Sequence, residues 1–403
     1  MSNSGTRLPL QFWIVTLVAF INAVSFTIII PILYPYAKQF GLTDFQASLL
    51  TTAYAASQFL GTPILGRLSD RIGRKPLLVI SLGGTVLANA IASLTPVPGL
   101  LFAARILDGL TGGNTSIAQA IISDTTDPEQ RTKAFGIFGA VFRLGFVAGP
   151  PLSYVAQIVP PLPGISSLGM SFLCSAAIAL LATVLCLLFL PETHQPSGQV
   201  QLRWLDFKLG RIFSAVTHPR FGRVFVLTFL TGFTFTIFTF AFQPFFLNVL
   251  GQDARTLALV FAAFGIIGFV AQVFGLDPLR KRFGLVGLLA AMLAARGVLF
   301  MLIPTFPSLG AFLAILVVFA AVNSFPMPLI ESVLSLRSGP QEQGEVLGLN
   351  ASFLSISNAI GPATAGLLVS LGYRLPFWIT GALTLLVAWF ALSLARSAPS
   401  AES

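Results

Sequence analysis

Apolar stretches about twenty residues long recur along almost the whole chain, separated by short polar segments. A stretch of about 20 apolar residues is the length that crosses the hydrocarbon core of a bilayer as an α-helix. Of the 403 residues, 55% are apolar and 9% are charged, whereas about 25% are charged in a typical soluble protein. The chain cannot cover a globular surface with polar groups, so we predict an all-α membrane protein.

We predict twelve transmembrane helices. The longest polar segment, 191–222, separates the sixth from the seventh. It divides the chain into an N-terminal half of six helices (1–190), a cytoplasmic linker, and a C-terminal half of six helices (223–403). The predicted helices are 11–34, 45–66, 77–95, 99–123, 134–156, 168–190, 223–247, 256–276, 285–304, 309–335, 346–370 and 375–395.

The basic residues indicate the topology of these helices. An even number of spans places both termini on one side, together with alternate loops, and 17 basic residues then share that side with the termini. Only Lys38, Arg255 and Arg374 fall on the other side. Because basic loops remain in the cytoplasm, we predict cytoplasmic termini in a multi-pass protein of the cell inner (plasma) membrane. The net charge of +9 is then a topology signal, and nucleic acid is not an expected partner. The segment 202–213 is amphipathic and is predicted to lie along the membrane surface.

Neither a cofactor nor an enzymatic activity is indicated. The chain has no ATP-binding loop of the type G-x-x-x-x-G-K-[ST]. Its two histidines, His194 and His218, lie in the linker without a third metal ligand nearby, so we predict no metal site. No histidine and acid pair, and no pair of acids, points to a catalytic site at the membrane interface. Energy for any transport has to come from a gradient.

The second half of the chain repeats the first. Pro31 and Pro244 are 213 residues apart, and Gly73 and Gly284 are 211 residues apart. Two six-helix units related by an axis along the membrane normal form a central cavity that opens to one side at a time. Small residues in these helices allow close packing and rocking of one helix against another. The repeat is clearest at Gly136, Gly145, Gly149 and Pro150, which recur 212 residues later as Gly348, Ser357, Gly361 and Pro362.

Three motifs resemble those of a known family. Residues 66–76, G-R-L-S-D-R-I-G-R-K-P, resemble the major facilitator loop pattern G-x-L-x-D-R-x-G-R-K. Residues 105–113 resemble its helix-four motif R-x-x-x-G-x-x-G. The glycines of 136–150 resemble the antiporter motif G-x8-G-x3-G-P-x2-G-G, with Ser153 and Tyr154 in place of the last glycines. Over nearly all of its length the chain resembles the drug:proton antiporter family of the major facilitator superfamily, which includes the bacterial tetracycline exporters. The resemblance implies the major facilitator fold and multidrug efflux by alternating access.

The chain departs from those exporters at three positions. They carry an acid in helix one where this chain has Asn22. The C-terminal loop has Lys281 where the acid of the first loop would recur. Asp108 is an acid at a position that is small or polar in the family.

The resemblance implies a cytoplasmic gate around the first loop. Asp70 is expected to face the positive N-terminal end of a neighbouring helix, and Arg71 and Arg74 to reach Asp124. The alternative is a solvated loop whose charges serve topology only. The predicted gate residues are Gly66, Asp70, Arg71, Gly73, Arg74, Asp124 and Arg131.

Five charged residues lie within predicted helices, where each charge is costly. Arg105 and Asp108 are three residues apart and can pair on one helix face. If the pair opens, Asp108 can take up a proton; alternatively the pair is static and structural. Glu331 is the second candidate for proton coupling, or its side chain reaches water. For Arg296 we favour a structural role, and Arg143 could face an anionic substrate.

Helix seven concentrates phenylalanine, and two interpretations remain open. The rings face lipid, or they form a wall that accepts bulky hydrophobic molecules. The predicted cavity residues are Asn22, Tyr54, Gln58, Gln119, Arg143, Phe235, Phe238, Gln243 and Asn350.

These observations favour a monomeric secondary transporter that exports hydrophobic or amphipathic small molecules in exchange for protons, of the kind that confers antibiotic resistance. An organic-anion or lipid and metabolite carrier of the same fold is the alternative, favoured by Arg143 and disfavoured by Asp108. A membrane enzyme, a receptor or a scaffold is a further alternative from another class.

Overall fold

A computed structural model describes residues 8–194, 209–339 and 342–394. In these ranges all regular secondary structure is helical, which confirms the all-α prediction. Arg7, Arg203, Lys208, Arg396 and the segment 202–208 of the predicted surface helix lie outside the described residues.

The helices of the first half are α1 to α8, and the helices of the second half are α10 to α16, with the short α9 before them. In order they are α1 (Leu10–Ile29), α2 (Leu33–Gln39), α3 (Asp44–Ile72), α4 (Arg74–Leu94), α5 (Pro98–Thr111), α6 (Asn114–Thr125), α7 (Pro128–Ile158), α8 (Gly169–Phe189), α9 (Leu209–Val216), α10 (Gly222–Pro244), α11 (Ala254–Phe283), α12 (Leu285–Leu302), α13 (Leu309–Asn323), α14 (Pro326–Arg337), α15 (Gln343–Leu371) and α16 (Leu375–Leu392).

Ten helical segments of the described residues are long and apolar enough to cross a membrane. Two predicted spans are not among them. The span 45–66 corresponds to α3, which is 29 residues long but rich in small polar residues. The span 99–123 corresponds to α5 and α6, which have 14 and 12 residues and are each too short alone. Leu188, Phe274 and Trp389 are 70%, 73% and 75% exposed, as expected for side chains in contact with lipid.

Two predicted helices are interrupted at corresponding positions, where an unbroken helix was expected. The fourth is broken at Gly112 and Gly113, between α5 and α6, and the tenth at Ser324 and Phe325, between α13 and α14. Paired glycines disfavour the helical backbone. Pro326 has no amide hydrogen to continue the helix hydrogen bonds. The two interruptions are related by the 212-residue offset of the repeat.

The first predicted helix of each half also departs from regular α-helix near its proline. The helix α1 ends at Ile29, two residues before Pro31, and α2 begins at Leu33. The helix α10 ends at Pro244 and continues as a π-helical turn, Phe245–Val249. The predicted first helix, 11–34, is therefore two helices.

The chain groups into two compact units. Unit one comprises Met1–Gly41, Ala53–Asp206 and Ala254–Ala262, and unit two comprises Leu42–Thr52, Phe207–Asp253 and Ala263–Ser403. The first residues of α3 and of α11 thus group with the opposite unit from the rest of their helix. The half boundaries at residues 190 and 223 stay a prediction.

In unit one, α1 packs against α7 and α8, and α4 against α5 and α8. The core between them is apolar, with Phe12, Leu78 and Ile117 fully buried. Polar side chains also meet inside this unit: the hydroxyl oxygens of Ser25 and Ser175 are 2.8 Å apart, and the Asn89 side-chain amide donates to the Ser175 hydroxyl at 3.1 Å.

The core of unit two is aromatic, and it corrects one interpretation of helix seven. Phe238, on α10, is 4% exposed. Its ring centroid lies 4.5 Å from that of Phe319 and 5.1 Å from that of Phe300. The lipid-facing interpretation is wrong for Phe238, whose ring packs in the core of unit two, and its place in a substrate cavity stays a prediction. Phe235 is half-buried. Hydropathy alone could not separate these outcomes, because α10 is apolar on all sides.

Within unit two, the first turns of α3 pack against α15 and the loop that follows it. A side chain at Gly366 would collide with the Ser48 hydroxyl. Tyr373 donates a hydrogen bond to Asp44, and burial together with this carboxylate raises the pKa of the Tyr373 hydroxyl. These contacts hold the start of α3 in unit two.

The repeat predicted from the sequence reappears as the same contact in each unit. In unit one the Thr27 hydroxyl donates to the Gly145 carbonyl at 3.1 Å, linking α1 to α7. In unit two the Thr236 hydroxyl donates to the Ser357 carbonyl at 3.2 Å, linking α10 to α15. The acceptors are 212 residues apart.

Glycine allows both of these close approaches. A Cβ atom at Gly149 would collide with Thr27, and one at Gly361 would collide with Thr236. Gly145 likewise lies against Ala23. Pro150 and Pro362 follow within the helices.

Two glycines of the motif do not take part in close packing, contrary to the prediction. A Cβ atom at Gly136 or at Gly348 would have no atom within 4 Å. Gly136 is exposed, whereas Ala134 and Phe138, on the same part of α7, are buried in the core of unit one.

We expect Gly149→Val to destabilise the protein by about 1–3 kcal/mol, the usual cost of overpacking a core. The matched variant, Gly136→Val, places the same side chain on the same helix in open space and should leave stability unchanged. Thermal unfolding in detergent, followed with a thiol-reactive dye that reports exposure of the buried Cys186, measures the difference. Equal melting temperatures for the two variants would contradict the close contact.

Candidate functional site

Arg74 is the centre of the first candidate site, at the junction of α3 and α4. It is 8% exposed. Its Nε atom lies 2.9 Å from Asp124 Oδ2 and its Nη1 atom 2.5 Å from Asp70 Oδ1. Nη1 also donates to the Ser69 hydroxyl at 2.5 Å. One buried guanidinium thus joins the end of α3 to the end of α6.

The start of α4 is capped by an acid that sequence reasoning missed. Glu192 follows α8, and its carboxylate accepts hydrogen bonds from the backbone amides of Arg74 and Lys75 at 2.9 and 3.2 Å. A carboxylate there also meets the positive end of the helix dipole. Asp70 was expected to fill this role. It pairs instead with Arg74, which lies four residues later at the start of α4.

Gly73 makes this cap possible. It separates α3 from α4 with a φ of 111°, a backbone conformation that favours glycine. A side chain at this position would also collide with the carboxylate of Glu192. The glycine of the loop motif is therefore explained by both backbone conformation and space.

The other predicted gate residues have different surroundings. Arg131 donates to the backbone carbonyls of Ser123 and Thr126 at 2.9 and 3.3 Å, which caps the end of α6. Arg71 is exposed, and Arg74 supplies the contact to Asp124 that was expected of both arginines. The Gly66 carbonyl accepts a hydrogen bond from the Ser69 hydroxyl at 2.6 Å.

The second candidate site is a buried ion pair on α5. Arg105 Nη1 lies 2.9 Å from Asp108 Oδ2, and the two residues are 3% and 4% exposed. The Asp108 carboxylate also interacts with the Thr85 hydroxyl on α4. The spacing of three residues predicted this contact. Its role in proton coupling stays a prediction.

Tyr54 and Gln58, both on α3, surround the pair. The Arg105 guanidinium lies over the Tyr54 ring, with Cζ 4.4 Å from the ring centroid. Gln58 Nε2 donates to the Tyr54 hydroxyl at 3.0 Å and to the Gly112 carbonyl at 3.1 Å. Two residues predicted to line the cavity are thus part of the ion-pair site.

The remaining polar cavity candidates are dispersed. Asn22 is half-buried and lines a small pocket of unit one together with Asn114 and Thr115. Gln119 is exposed. In unit two, Asn350 accepts a hydrogen bond from the Thr228 hydroxyl at 2.5 Å, and Gln243 donates to the Thr239 carbonyl at 3.4 Å. The last two are bound within the core of unit two.

The other membrane charges also differ in burial. Arg143 is exposed on α7, and Glu331 is half-buried on α14. Arg296 is 1% exposed. It donates to the Thr234 hydroxyl at 2.7 Å, to the Thr231 carbonyl at 3.1 Å and to the Asn323 side chain at 3.4 Å. The structural role favoured for Arg296 agrees with these contacts, which join α10, α12 and α13.

Helices long and apolar enough to cross a membrane, broken at repeated positions and carrying a buried ion pair, define a multi-pass membrane protein. A family model described as the Major Facilitator Superfamily matches residues 15–222 and 224–403. The chain belongs to the Major Facilitator Superfamily and is a multi-pass membrane protein.

Particular relatives agree with the resemblance seen in the motifs. The chain is 32% identical over 352 residues to the class C tetracycline resistance protein of Escherichia coli, covering 85% of each chain. It is 28% identical over 385 residues to multidrug resistance protein 1 of Bacillus subtilis (strain 168), covering 94% of this chain and 95% of the relative. The crystal structure of the human organic anion transporter MFSD10 (TETRAN) has the same fold, with a TM-score of 0.70, 22% identity, and coverage of 95% of this chain and 100% of the other.

Proposed function

We propose that the protein exports hydrophobic or amphipathic drug-like molecules across the inner membrane in exchange for protons, by alternating access, and acts as a monomer with both termini in the cytoplasm. The observation that carries this proposal is the 32% identity to a tetracycline resistance protein over most of both chains. The similarity to a multidrug resistance protein extends it to a broader set of molecules.

The buried ion pair supports proton exchange. A carboxylate held by a guanidinium is stable inside the protein, whereas a carboxylate without its partner is favoured to bind a proton. Asp108 can therefore alternate between a paired, charged form and an open, neutral form. Asn22 cannot do this, so the helix-one acid of the tetracycline exporters has no counterpart at its own position.

The Arg74 cluster supports a gate at the cytoplasmic side. Arg74 is held by two carboxylates from different helices, and Glu192 binds the adjacent backbone amides. Charge-assisted hydrogen bonds of this kind are strong and directional. In the proposed cycle these hydrogen bonds form when the cytoplasmic gate is closed and break when it opens.

An organic-anion carrier is the second candidate. It is favoured by Arg143, an exposed arginine in the middle of α7. In this alternative the arginine contacts an acidic group of the cargo.

The test uses inside-out membrane vesicles from cells that produce the protein. Respiration acidifies the vesicle interior, and we expect tetracycline to accumulate inside and to be lost when a protonophore is added. Vesicles without the protein are the control. Accumulation of an aromatic carboxylate such as p-aminohippurate, without accumulation of tetracycline, would favour the organic-anion carrier. Tetracycline uptake that persists with the protonophore would contradict proton exchange.

A further inference from the structure

Four aromatic rings form a continuous row through unit one, which we call the aromatic row: Phe142, Phe146, Phe26 and Tyr54. The centroids of Phe142 and Phe146, on α7, are 5.3 Å apart. Phe146 is 6.0 Å from Phe26 on α1, and Phe26 is 5.2 Å from Tyr54 on α3. The row therefore links three helices that are distant in sequence.

The rings of the aromatic row differ in exposure. Phe146 is 40% exposed, whereas Tyr54 is 9% exposed. Phe26, between them, is half-buried. A small molecule can reach the row at Phe146 but not at Tyr54.

The buried end of the row meets the ion pair. The planes of Phe26 and Tyr54 are 27° apart in a stacked arrangement, and the Arg105 guanidinium lies on Tyr54 at 4.4 Å. Arg105 in turn holds Asp108 at 2.9 Å. The Arg105 Nε atom is buried without a hydrogen-bond partner among the described residues. The ring of Tyr54 is thus a principal support of the guanidinium besides Asp108 itself.

Gln58 fixes the edge of the Tyr54 ring. Its amide nitrogen donates both to the Tyr54 hydroxyl and to the Gly112 carbonyl, and Gly112 lies at the break between α5 and α6. The hydroxyl edge of the ring is therefore held by Gln58, while the ring itself contacts both Phe26 and the Arg105 guanidinium.

We propose that a planar aromatic part of the substrate packs against Phe146 and Phe26, and that Tyr54 is the positioning residue that links this occupancy to the protonation of Asp108. The proposal rests on the proposed function and names the substrate class and the coupling of that same site. Aromatic rings prefer stacked or edge-to-face neighbours, so a flat ring system extends the row in a way that an aliphatic ligand does not.

The coupling follows from the geometry in two steps. An aromatic ring of the bound substrate keeps Phe26 stacked on Tyr54. Tyr54 then holds the Arg105 guanidinium in its ion pair with Asp108. The O–H bond of the neutral Asp108 carboxyl then breaks, its electron pair remains on the carboxylate, and the proton passes to water. When the substrate leaves, Tyr54 is released, Arg105 separates from Asp108, and the carboxylate takes a proton from water.

The experiment measures proton release on substrate binding by the purified full-length protein in weakly buffered detergent solution with a pH indicator. Tetracycline and norfloxacin are the planar aromatic probes, and tetrabutylammonium is the hydrophobic probe without a ring. We expect Tyr54→Leu to bind the planar probes with little loss of affinity but to release few protons per bound probe. Tyr54→Phe keeps the ring and should restore the release.

Phe26→Leu separates binding from coupling. We expect it to lower the affinity for the planar probes by up to about tenfold, the factor that corresponds to the loss of one good aromatic contact. The affinity for tetrabutylammonium should be unchanged. Phe189→Leu, on a ring of unit one that is 59% exposed and outside the row, is the matched control and should change neither quantity.

The outcomes distinguish this inference from the proposed function. Full proton release by Tyr54→Leu overturns the positioning role of Tyr54 and leaves proton exchange intact. Binding of tetracycline to the unaltered protein without proton release overturns both. Binding of tetrabutylammonium but of neither planar probe overturns the aromatic substrate class. If Tyr54→Leu does not fold, Arg105→Lys is used instead, because it keeps the charge and loses the flat contact with Tyr54, and it should show the same loss of release.

Discussion

Asp108→Asn is expected to abolish transport driven by an imposed pH gradient, while substrate exchange without a gradient continues. An amide cannot take up or release a proton under physiological conditions, whereas exchange requires only that the cavity reorient. Uptake of labelled tetracycline into proteoliposomes, with and without a pH gradient, measures both. Gradient-driven uptake should fall to the level of protein-free vesicles.

The control for this prediction addresses stability. Asp108→Asn leaves the Arg105 guanidinium buried without its carboxylate, and breaking a buried pair costs about 3–5 kcal/mol. The double variant with Arg105→Gln removes both charges, so it should recover the melting temperature but not the response to the gradient. If Asp108→Asn still responds to the gradient and Glu331→Gln does not, Glu331 is the coupling acid. If Asp108→Asn, Glu331→Gln and the variant that combines them all respond to the gradient, the proposal that protons are exchanged through a membrane carboxylate is wrong.

The second large effect is expected from Arg74→Asp. This change places a new carboxylate between Asp70 and Asp124, beside the Glu192 carboxylate that binds the backbone amide of residue 74. We expect the transport rate to fall by about tenfold or more, since about 1.4 kcal/mol corresponds to a factor of ten. Substrate affinity should change much less, because the cluster is proposed as a gate and not as part of the cavity.

A second charge reversal tests the contact between Arg74 and Asp124 directly. Adding Asp124→Arg should restore part of the rate, with a coupling free energy of about 1–2 kcal/mol, within the range for residues in contact. Lys133→Asp, at an exposed lysine of α7 in the same unit, makes the same change of charge outside the cluster and is the control. A double-mutant cycle without coupling would remove the contact between Arg74 and Asp124 from the proposed gate.

Much of the fold was predictable because membrane helices leave strong periodic signals. The apolar stretches and the 212-residue repeat predicted the helical architecture, and the carbonyls that accept hydrogen bonds from Thr27 and Thr236 follow the same offset. The helix breaks at Gly112 and Ser324 were missed. A break of one turn hardly changes the hydropathy of a stretch, so composition could not reveal it.

The candidate sites were predictable only where the interacting residues are close in sequence or belong to a motif. Arg105 and Asp108 are one helical turn apart, and Arg74 and Asp124 belong to motif segments that resemble a family. Glu192 caps a helix that begins 118 residues earlier, and no local spacing signals such a contact. The aromatic row was missed for the same reason, since its rings come from three helices. Helix seven has a concentration of phenylalanine that is visible in the sequence, and its Phe238 ring lies in the core of unit two.

The buried Arg296 would make any movement of α12 along the membrane normal sensitive to membrane voltage. An arginine keeps its charge inside a protein, and among the described residues its hydrogen-bond partners are all neutral. Carrying one elementary charge across the whole membrane changes the free energy by about 2.3 kcal/mol per 100 mV, so a movement through one tenth of the electric field changes it by about 0.2 kcal/mol. The closed pair of Arg105 and Asp108 is neutral and adds no such dependence. Such a movement would respond to the electrical potential across the membrane, in addition to the response of Asp108 to the proton concentration.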